Sequence, residues 1–238
     1  MPATASYTLE DQERMARAVN YFTWQHRLVT RELGQRVIEI GCGIGNFTRL
    51  ILDPREAVLA IDIESGCIER LKQRFPDRPN LHAITCDVTE PAFAELESFR
   101  ADSCLCLNVL EHVERDGEAL DRMAAVLAPG GIVILLVPAF PSLYGPIDER
   151  LGHRRRYTRA SISRLAERTG LRVKTSYYLN AIGLFGWWAN AHLLKRETQS
   201  VAQIEFFDRY VVPVASRVEN CVRPPFGQSL FVVLEKSR

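Results

Sequence analysis

The stretch that decides the fold is Arg36-Val37-Ile38-Glu39-Ile40-Gly41-Cys42-Gly43-Ile44-Gly45-Asn46, an apolar run that ends in three alternating glycines. The run predicts a strand, and the residues after it predict a helix with Phe47, Leu50 and Ile51 on its apolar side. A strand that enters a helix through glycines presents bare backbone and a helix N-terminus at the carboxyl edge of a sheet. We therefore expect a nucleotide-like ligand there, with glycines required because side chains would collide with it.

Strands and helices alternate on both sides of this stretch. Further strands are predicted at residues 57–61, 81–85, 103–107, 132–137, 171–178 and 229–235. Helices are predicted at about 21–33, 65–75, 114–127 and 158–168, and a capping box at residues 8–11 predicts one more. This alternation is typical of a parallel sheet covered on both faces. We expect a single domain, with an N-terminal helical cover (1–34), a core (35–180), an insertion or lid (181–228) and a last strand (229–238).

The composition is that of an ordinary globular protein. The chain has 238 residues, 47% hydrophobic and 25% charged, with a formal net charge of +1. The near-zero charge argues against a global attraction to nucleic acid or to an anionic membrane. Six cysteines without a C-x-x-C pair favour a reduced, cytoplasmic setting, and the polar N-terminus predicts no secretory signal. The longest apolar stretch, residues 181–188, is too short to span a membrane.

Acidic residues follow the next two strands. Asp62 ends the second strand, where a carboxylate would accept both hydroxyls of a ribose, and Asp87 with Val88 ends the third, next to where an adenine would lie. A nicotinamide-dependent oxidoreductase would instead need glycine or alanine at position 46, which is Asn46. Glu39, before the glycines, suits a positively charged amine better than a pyrophosphate.

Together these motifs resemble the class I S-adenosylmethionine-dependent methyltransferases, over about residues 21–179 and the last strand. The resemblance implies a Rossmann-like α/β fold with a seven-stranded, mostly parallel sheet whose last strand is antiparallel, and helices on both faces. It also implies S-adenosyl-L-methionine as cofactor and S-adenosyl-L-homocysteine as product. The cofactor-binding residues that it implies are Tyr21, Glu39, Gly41, Cys42, Gly43, Gly45, Asp62, Ile63, Asp87, Val88, Asn108 and Val109.

A narrower similarity lies at the end of the fourth strand. Residues 108–113 are similar to a segment of the ubiquinone-biosynthesis O-methyltransferases, some of which bind a divalent metal through Glu-x-x-Glu-His. Asn108 stands in place of the first glutamate, which removes a negative charge and weakens such a site. We therefore predict no metal, and a divalent ion stays as the less favoured alternative. In the other interpretation, Glu111 stabilises the N-terminus of the following helix.

Two histidines are the candidate catalytic residues. A neutral histidine near the methyl group suits removal of a proton from an alcohol or phenol, and His112 and His153 are placed for this role. The candidate acceptor-binding residues are Tyr144, Arg155, Tyr157 and Trp187. The arginines at 154–156 either hold an anionic acceptor, or one of them pairs with Asp148 to brace the loop. The aromatic segment 180–190 is open to four interpretations: an apolar wall for the acceptor, a membrane contact, a dimer contact, or plain packing.

The sequence thus predicts methyl transfer to a small molecule, with O-methylation of an apolar or aromatic metabolite favoured. The alternatives are C- or N-methylation of a small molecule or lipid-linked intermediate, and a protein that binds the cofactor without catalysis. Base methylation is disfavoured, because no N/D-P-P-Y/F-type tetrad follows the fourth strand. We predict no nucleic-acid partner and a monomer or homodimer, and leave peripheral membrane contact open.

Overall fold

The computed structural model describes residues 8–53, 55–193, 198 and 200–237. The strands are β1 (Arg36–Ile40), β2 (Ala57–Asp62), β3 (Leu81–Thr85), β4 (Ala101–Leu107), β5 (Leu127–Pro138), β6 (Leu171–Leu179) and β7 (Ser229–Lys236). The helices are α1 (Leu9–Met15), α2 (Val19–Val29), α3 (Thr48–Ile51), α4 (Ser65–Arg74), α5 (Asp116–Val126), α6 (Pro146–Leu151), α7 (Arg159–Arg168), α8 (Ala181–Trp188), α9 (Val201–Phe206) and α10 (Val212–Cys221).

The seven strands form one sheet in the order β3-β2-β1-β4-β5-β7-β6. The first five strands pair in parallel, and β7 is antiparallel to both β5 and β6. This confirms the predicted fold class. β5 begins five residues earlier than predicted, because Leu127 already pairs with Ala101 before the register shifts. β1 has β2 on one side and β4 on the other, so the order in which strands are added to the sheet reverses beside β1. At such a switch point a crevice opens at the carboxyl ends of the strands.

Apolar side chains cover both faces of the sheet. On one face, the strands pack against α5 and α7, with Leu120, Met123 and Ile162 in the core. On the other face they pack against α2, α3 and α10, through Trp24 and Val212 among others. Strands enclosed in this way need apolar residues on both sides, which explains the continuous apolar runs of the sequence.

Two buried carboxylates hold the segment between β6 and β7 in place, one by binding α2 and the other by joining two parts of the segment itself. Asp208 accepts hydrogen bonds from the backbone N–H groups of Asn20 (3.0 Å) and Tyr21 (2.8 Å), in the first turn of α2. Glu219 accepts from the N–H groups of Asn180 and Ala181 at the start of α8. Each carboxylate therefore satisfies N–H groups that a helix cannot pair internally at its N-terminus.

The helices of the described residues include none that is long and apolar enough to cross a membrane.

Candidate active site

A cavity of about 1050 Å³ opens at the carboxyl edge of the sheet, where β1, β2 and β4 end. Its other walls come from α1, α2, the segment after β5, and the segment between β6 and β7. Ligand sites are usually no larger than about 1000 Å³. The cavity therefore has room for a cofactor and an acceptor side by side.

The glycine loop forms one wall of the cavity. Gly41, Cys42 and Gly43 line it, and the Gly43 N–H donates to Oδ2 of Asp62 (2.8 Å). Gln12 of α1 lies against the same loop, where its Oε1 accepts from the N–H of Ile44 (2.8 Å). Asp62 thus fixes the glycine loop through a backbone hydrogen bond, and Gln12 of α1 contacts the same loop.

Two of the glycines are required for a different reason from the predicted one. Gly43 (φ +53°) and Gly45 (φ +82°) have left-handed backbone conformations that disfavour other residues. A Cβ at Gly43 would meet the side chain of Gln12, and a Cβ at Gly45 would come within 2.8 Å of the Phe75 ring. The collisions avoided are therefore with the protein's own side chains. Gly45 is not among the described residues that line the cavity, and its contact with the cofactor stays a prediction.

Glu39 offers the cavity a buried carboxyl group. Burial, with a smaller contribution from the negative charge of Asp62, raises the pKa of Glu39 to about 8. Its Oε2 has no hydrogen-bond partner among the described residues. A cationic amine placed here would satisfy that oxygen and favour the ionised carboxylate. The ammonium group of S-adenosylmethionine fits this requirement.

The remaining predicted cofactor residues lie along the same edge. Ile63, 64% exposed, and the buried Val88 line the cavity as apolar surfaces suited to an adenine. Oδ1 of Asp87 accepts from the N–H (2.7 Å) and the hydroxyl (2.8 Å) of Thr89, which fixes the carboxylate at the cavity wall. Asn108 follows β4 with a φ of +53°. Tyr21 and Val109 also line the cavity.

A cluster of three titratable side chains lies beyond the end of β4. The His112 and His153 rings meet edge to face, with centroids 4.8 Å apart. Nε2 of His153 is 3.9 Å from Oε1 of Glu111. Burial, and secondarily the charge of His153, lowers the pKa of His112 to about 4, so His112 is neutral at neutral pH. The fold thus brings together the two candidate catalytic histidines, which are far apart in the sequence.

Glu111 is fully buried, and neither of its carboxyl oxygens has a hydrogen-bond partner among the described residues. Burial raises the pKa of Glu111 to about 7, although the nearby charges of His153 and Arg156 oppose that rise. A buried carboxyl group without partners is costly. It either keeps its proton or acquires a cation.

The buried carboxylate of Asp148 orients His153. Its Oδ1 lies 2.7 Å from Nδ1 of His153 and accepts from Nε of Arg156 (2.9 Å). Burial alone would raise the pKa of Asp148, but the His153 hydrogen bond and the Arg156 charge hold it below the usual value. An ionised carboxylate can only accept, so Nδ1 of His153 carries the proton. Nε2 is then the basic nitrogen of the ring.

One of the four predicted acceptor residues lines the cavity, namely Trp187. Tyr144, Arg155 and Tyr157 are not among the described lining residues, and each braces neighbouring structure instead. The Tyr144 hydroxyl donates to the carbonyl of His153 (2.7 Å), and Arg155 pairs with Asp116 (3.0 Å). The buried Tyr157 hydroxyl contacts Asp116 and the carbonyl of Leu110. Their role in binding the acceptor therefore stays a prediction.

The structure adds residues that the sequence prediction missed. The lining residues not predicted for a site include Gln12, Met15, Phe22, Gln25, Ile204 and Phe207. No local motif identifies most of them, because they reach the cavity through long-range packing. Asp148 pairs with Arg156, which agrees with one of the two interpretations of the arginines at 154–156, and the binding of an anionic acceptor by these arginines stays a prediction.

Glu111, His112 and His153 also have the donor types of a metal site. One ligand atom from each lies within 4.8 Å of the others. Two imidazoles and a carboxylate suit first-row divalent metals, and a metal-binding histidine commonly donates its other N–H to a carboxylate, as His153 does to Asp148. These residues fit a divalent cation, so the prediction of no metal stays a prediction.

Comparisons with known proteins agree with this geometry. Residues 38–133 match the family described as Methyltransferase domain. A probable S-adenosylmethionine-dependent methyltransferase of Mycolicibacterium smegmatis is 25% identical over 193 residues, or 78% of this chain and 71% of that protein. Trans-aconitate 2-methyltransferase of Rhodopseudomonas palustris is 27% identical over 106 residues, or 44% of this chain and 39% of that enzyme.

A solved structure supports the fold. A chain from the complex between the Haloferax volcanii Trm112 methyltransferase activator and a methyltransferase superposes with a TM-score of 0.66 at 16% identity. The match covers 97% of this chain and 96% of that chain.

The sheet order and the cavity at its carboxyl edge define a Rossmann-like methyltransferase fold. With the family and sequence matches, the chain is a class I S-adenosylmethionine-dependent methyltransferase, and S-adenosylmethionine is its methyl donor.

Asp62→Ala is expected to raise the Kd for S-adenosylmethionine at least about tenfold, because it removes a charged acceptor and releases the Gly43 N–H. Calorimetric titration measures the effect. Asp53→Ala, which removes an exposed carboxylate paired with Arg78, serves as the control and should leave the Kd unchanged. Equal affinities of Asp62→Ala and wild type for S-adenosylmethionine would contradict the assignment of Asp62 to the cofactor site.

Gly45→Ala is expected to lower the free energy of unfolding by about 1–3 kcal/mol, because alanine is strained at φ +82° and crowds Phe75. Gly66→Ala is the matched control. Gly66 lies in α4 with nothing near its added Cβ, so alanine there should stabilise the protein by up to about 1 kcal/mol. Urea unfolding compares the two, and equal effects would show that Gly45 is not conformationally required.

Glu111→Gln tests the raised pKa of Glu111. A carboxyl group whose pKa is higher in the folded state stabilises the fold below its unfolded pKa of 4.5, and this stability is lost as the pH rises through about 7. Relative to Glu111→Gln, the free energy of unfolding of the wild type should fall by on the order of 3 kcal/mol as the pH rises from 4.5 to about 7. Urea unfolding in the presence of chelator measures the difference. The exposed Glu118→Gln should show no such trend, and a flat difference for Glu111→Gln would refute the shift.

Proposed function

We propose that the enzyme transfers the methyl group of S-adenosylmethionine to a hydroxyl oxygen of a small apolar or aromatic molecule. The observation that carries the proposal is the pair of Asp148 and His153, held 2.7 Å apart at the cavity. A hydroxyl is a weak nucleophile until its proton is removed, and an imidazole backed by a buried carboxylate is suited to remove it.

The proposed reaction is an in-line displacement at the methyl carbon. Nε2 of His153 takes the proton of the acceptor hydroxyl, and the oxygen forms a bond to the methyl carbon. The carbon–sulfur bond breaks, and its electron pair stays on sulfur, which leaves the neutral thioether S-adenosylhomocysteine. The negative charge of Asp148 stabilises the imidazolium that forms, so Asp148 is a positioning residue. His112, neutral and in contact with His153, is the second candidate base.

The apolar acceptor is inferred from the wall beside the histidines. The buried Trp187 lines the cavity together with Ile204 and Phe207. Its Nε1 donates to the carbonyl of Leu143 (3.2 Å), and the Arg156 guanidinium lies 4.7 Å from its ring centroid. A fixed aromatic surface of this kind favours a flat or apolar acceptor.

The small size of the acceptor is supported by the match to trans-aconitate 2-methyltransferase, whose name states a small-molecule substrate. The same cavity would also serve a nitrogen or carbon acceptor of a small molecule or lipid-linked intermediate. A protein that binds the cofactor without catalysis is the remaining alternative.

The unpartnered oxygens of Glu111 favour a second candidate mechanism, in which Glu111, His112 and His153 hold a divalent cation. The cation would polarise the acceptor oxygen as a Lewis acid. In that mechanism the imidazole of His153 binds the metal and does not act as the base. Treatment with a chelator distinguishes the two mechanisms, because only the second loses activity and regains it when a divalent metal is added.

The first experiment follows a labelled methyl group from S-adenosylmethionine into small molecules extracted from host cells. Label that partitions into the organic phase supports an apolar acceptor. Label confined to the aqueous phase contradicts the apolar acceptor and favours a polar one held by Arg154 or Arg156. Cofactor binding without any transfer favours the non-catalytic alternative.

His153→Asn is expected to lower kcat by roughly 10²- to 10⁴-fold while the Kd for S-adenosylmethionine stays unchanged. Asp148→Asn should lower kcat less. The reason is that Nδ1 of His153 loses the carboxylate that orients the ring while the imidazole stays in place. Glu118→Gln, at an exposed carboxylate outside the cavity, is the control. An unchanged kcat in a folded, cofactor-binding Asp148→Asn would contradict the positioning role.

A further inference from the structure

Five apolar side chains form a stripe on the outside of the helical stretch that runs from α9 to α10. They are Phe206, Tyr210, Val214, Val218 and Val222, at every fourth position, and each is 56–68% exposed. The π-helical turn Phe207–Val211 joins α9 and α10 into one continuous helix. A helix on a protein surface normally has polar residues on its outer side. This one instead exposes a continuous apolar stripe.

Helix α8 adds to this surface. Its exposed side chains include Ile182, Phe185 and Trp188. The Phe185 ring meets that of Phe226, just after α10, edge to face with centroids 6.0 Å apart. The stripe, these three side chains and Phe226 are together called the apolar face. Exposed apolar surface of this extent usually marks an interaction site.

The charges beside the stripe are predominantly positive. Arg209, Arg217 and Arg223 are exposed. Arg209 lies over the Tyr210 ring, Arg217 donates to the Pro213 carbonyl, and Arg223 lies over the Tyr177 ring and donates to the Glu219 carbonyl (3.4 Å). The described contacts of Arg209 and Arg217 include no carboxylate, whereas Arg223 lies near the buried carboxylate of Glu219. The acidic groups of the same helix are engaged elsewhere: Glu205 pairs with Arg17 (2.7 Å), and the buried Asp208 and Glu219 cap helices.

We propose that the apolar face docks on the surface of an anionic lipid bilayer. Helices that lie in a membrane interface combine an apolar side rich in aromatic residues with flanking arginines that meet lipid phosphates. A second copy of the chain fits less well, since a two-fold contact through this face would bring the arginines of both copies together. The net charge of +1 agrees with attachment through a local patch rather than a global attraction.

Docking would place the active-site cavity beside the bilayer. The other side of the same elements lines the cavity, through Gly186 and Trp187 of α8 and Gln203, Ile204 and Phe207 of the long helix. An apolar acceptor dissolved in the bilayer would then have a short path to the methyl group. This consequence rests on the proposed function, whereas bilayer binding does not.

Co-sedimentation of the full chain with vesicles tests the proposal. Wild type should bind phosphatidylcholine vesicles that contain phosphatidylglycerol, and should bind pure phosphatidylcholine vesicles several-fold less. Val218→Glu is expected to weaken binding roughly tenfold, since it places an anion in the apolar stripe. The double variant Arg209→Gln with Arg217→Gln should weaken binding by a similar factor. Ile84→Glu, on the edge strand β3 at the other end of the sheet, is the matched control and should bind like wild type.

Three results would overturn the proposal: no binding of wild type to anionic vesicles, equal binding of Val218→Glu and Ile84→Glu, or a dimer in light scattering that Val218→Glu dissociates. Cofactor affinity, measured for each variant, confirms that the fold is intact. Binding to vesicles without methyl transfer to any apolar acceptor would leave the docking surface in place and refute only the proposed function.

Discussion

The buried carboxylate of Asp148 is the constraint on which the acceptor side of the active site depends. It accepts from His153, from Arg156, and from the N–H of Gly145 (3.0 Å). Arg156 in turn donates to the carbonyl of Ala139 (3.1 Å) and lies over the Trp187 ring. Removing one partner of a buried charge pair commonly costs about 3–5 kcal/mol, because the other charge is left uncompensated. The carboxylate of Asp148 thus fixes the positions of the His153 imidazole, the Arg156 guanidinium and, through Arg156, the Trp187 ring.

Backbone contacts then bring this unit to the end of β4. The N–H of Arg154 donates to the carbonyl of Glu111 (2.8 Å), and Nε of Arg154 donates to the carbonyl of His112 (3.1 Å). Ala139 and Tyr157 form an isolated bridge that closes the segment between them. As a result, two histidines 41 positions apart share one edge-to-face contact. Nothing local in the sequence specifies that contact.

The cofactor side of the site was predictable because it follows from sheet topology. Glu39, Asp62, Asp87 and Asn108 each lie at or just past the end of a parallel strand, so the βα rhythm alone brings them to one edge. The contacts of a side chain are harder to predict where it has several packing choices. Tyr157 and Arg155 are candidate acceptor residues from the sequence, and in the structure both contact Asp116 at the start of α5. Asp208 and Glu219 cap helices that are distant along the chain, which no short motif reveals.

The distribution of charge in the cavity suits the change in charge during methyl transfer. Methyl transfer converts a sulfonium cation into a neutral thioether, and it converts an acceptor oxygen that has lost its proton to a base into a neutral ether. The transition state therefore carries less separated charge than the ionised reactants. Glu39 contributes a buried carboxyl group to the cavity, and Trp187, Ile204 and Phe207 contribute an apolar wall to it. In the proposed mechanism the positive charge passes from sulfur to the imidazole of His153, and the acceptor oxygen beside the apolar wall becomes neutral. A low-polarity wall at that point disfavours the separated ions more than the transition state, which supports an apolar acceptor at this site.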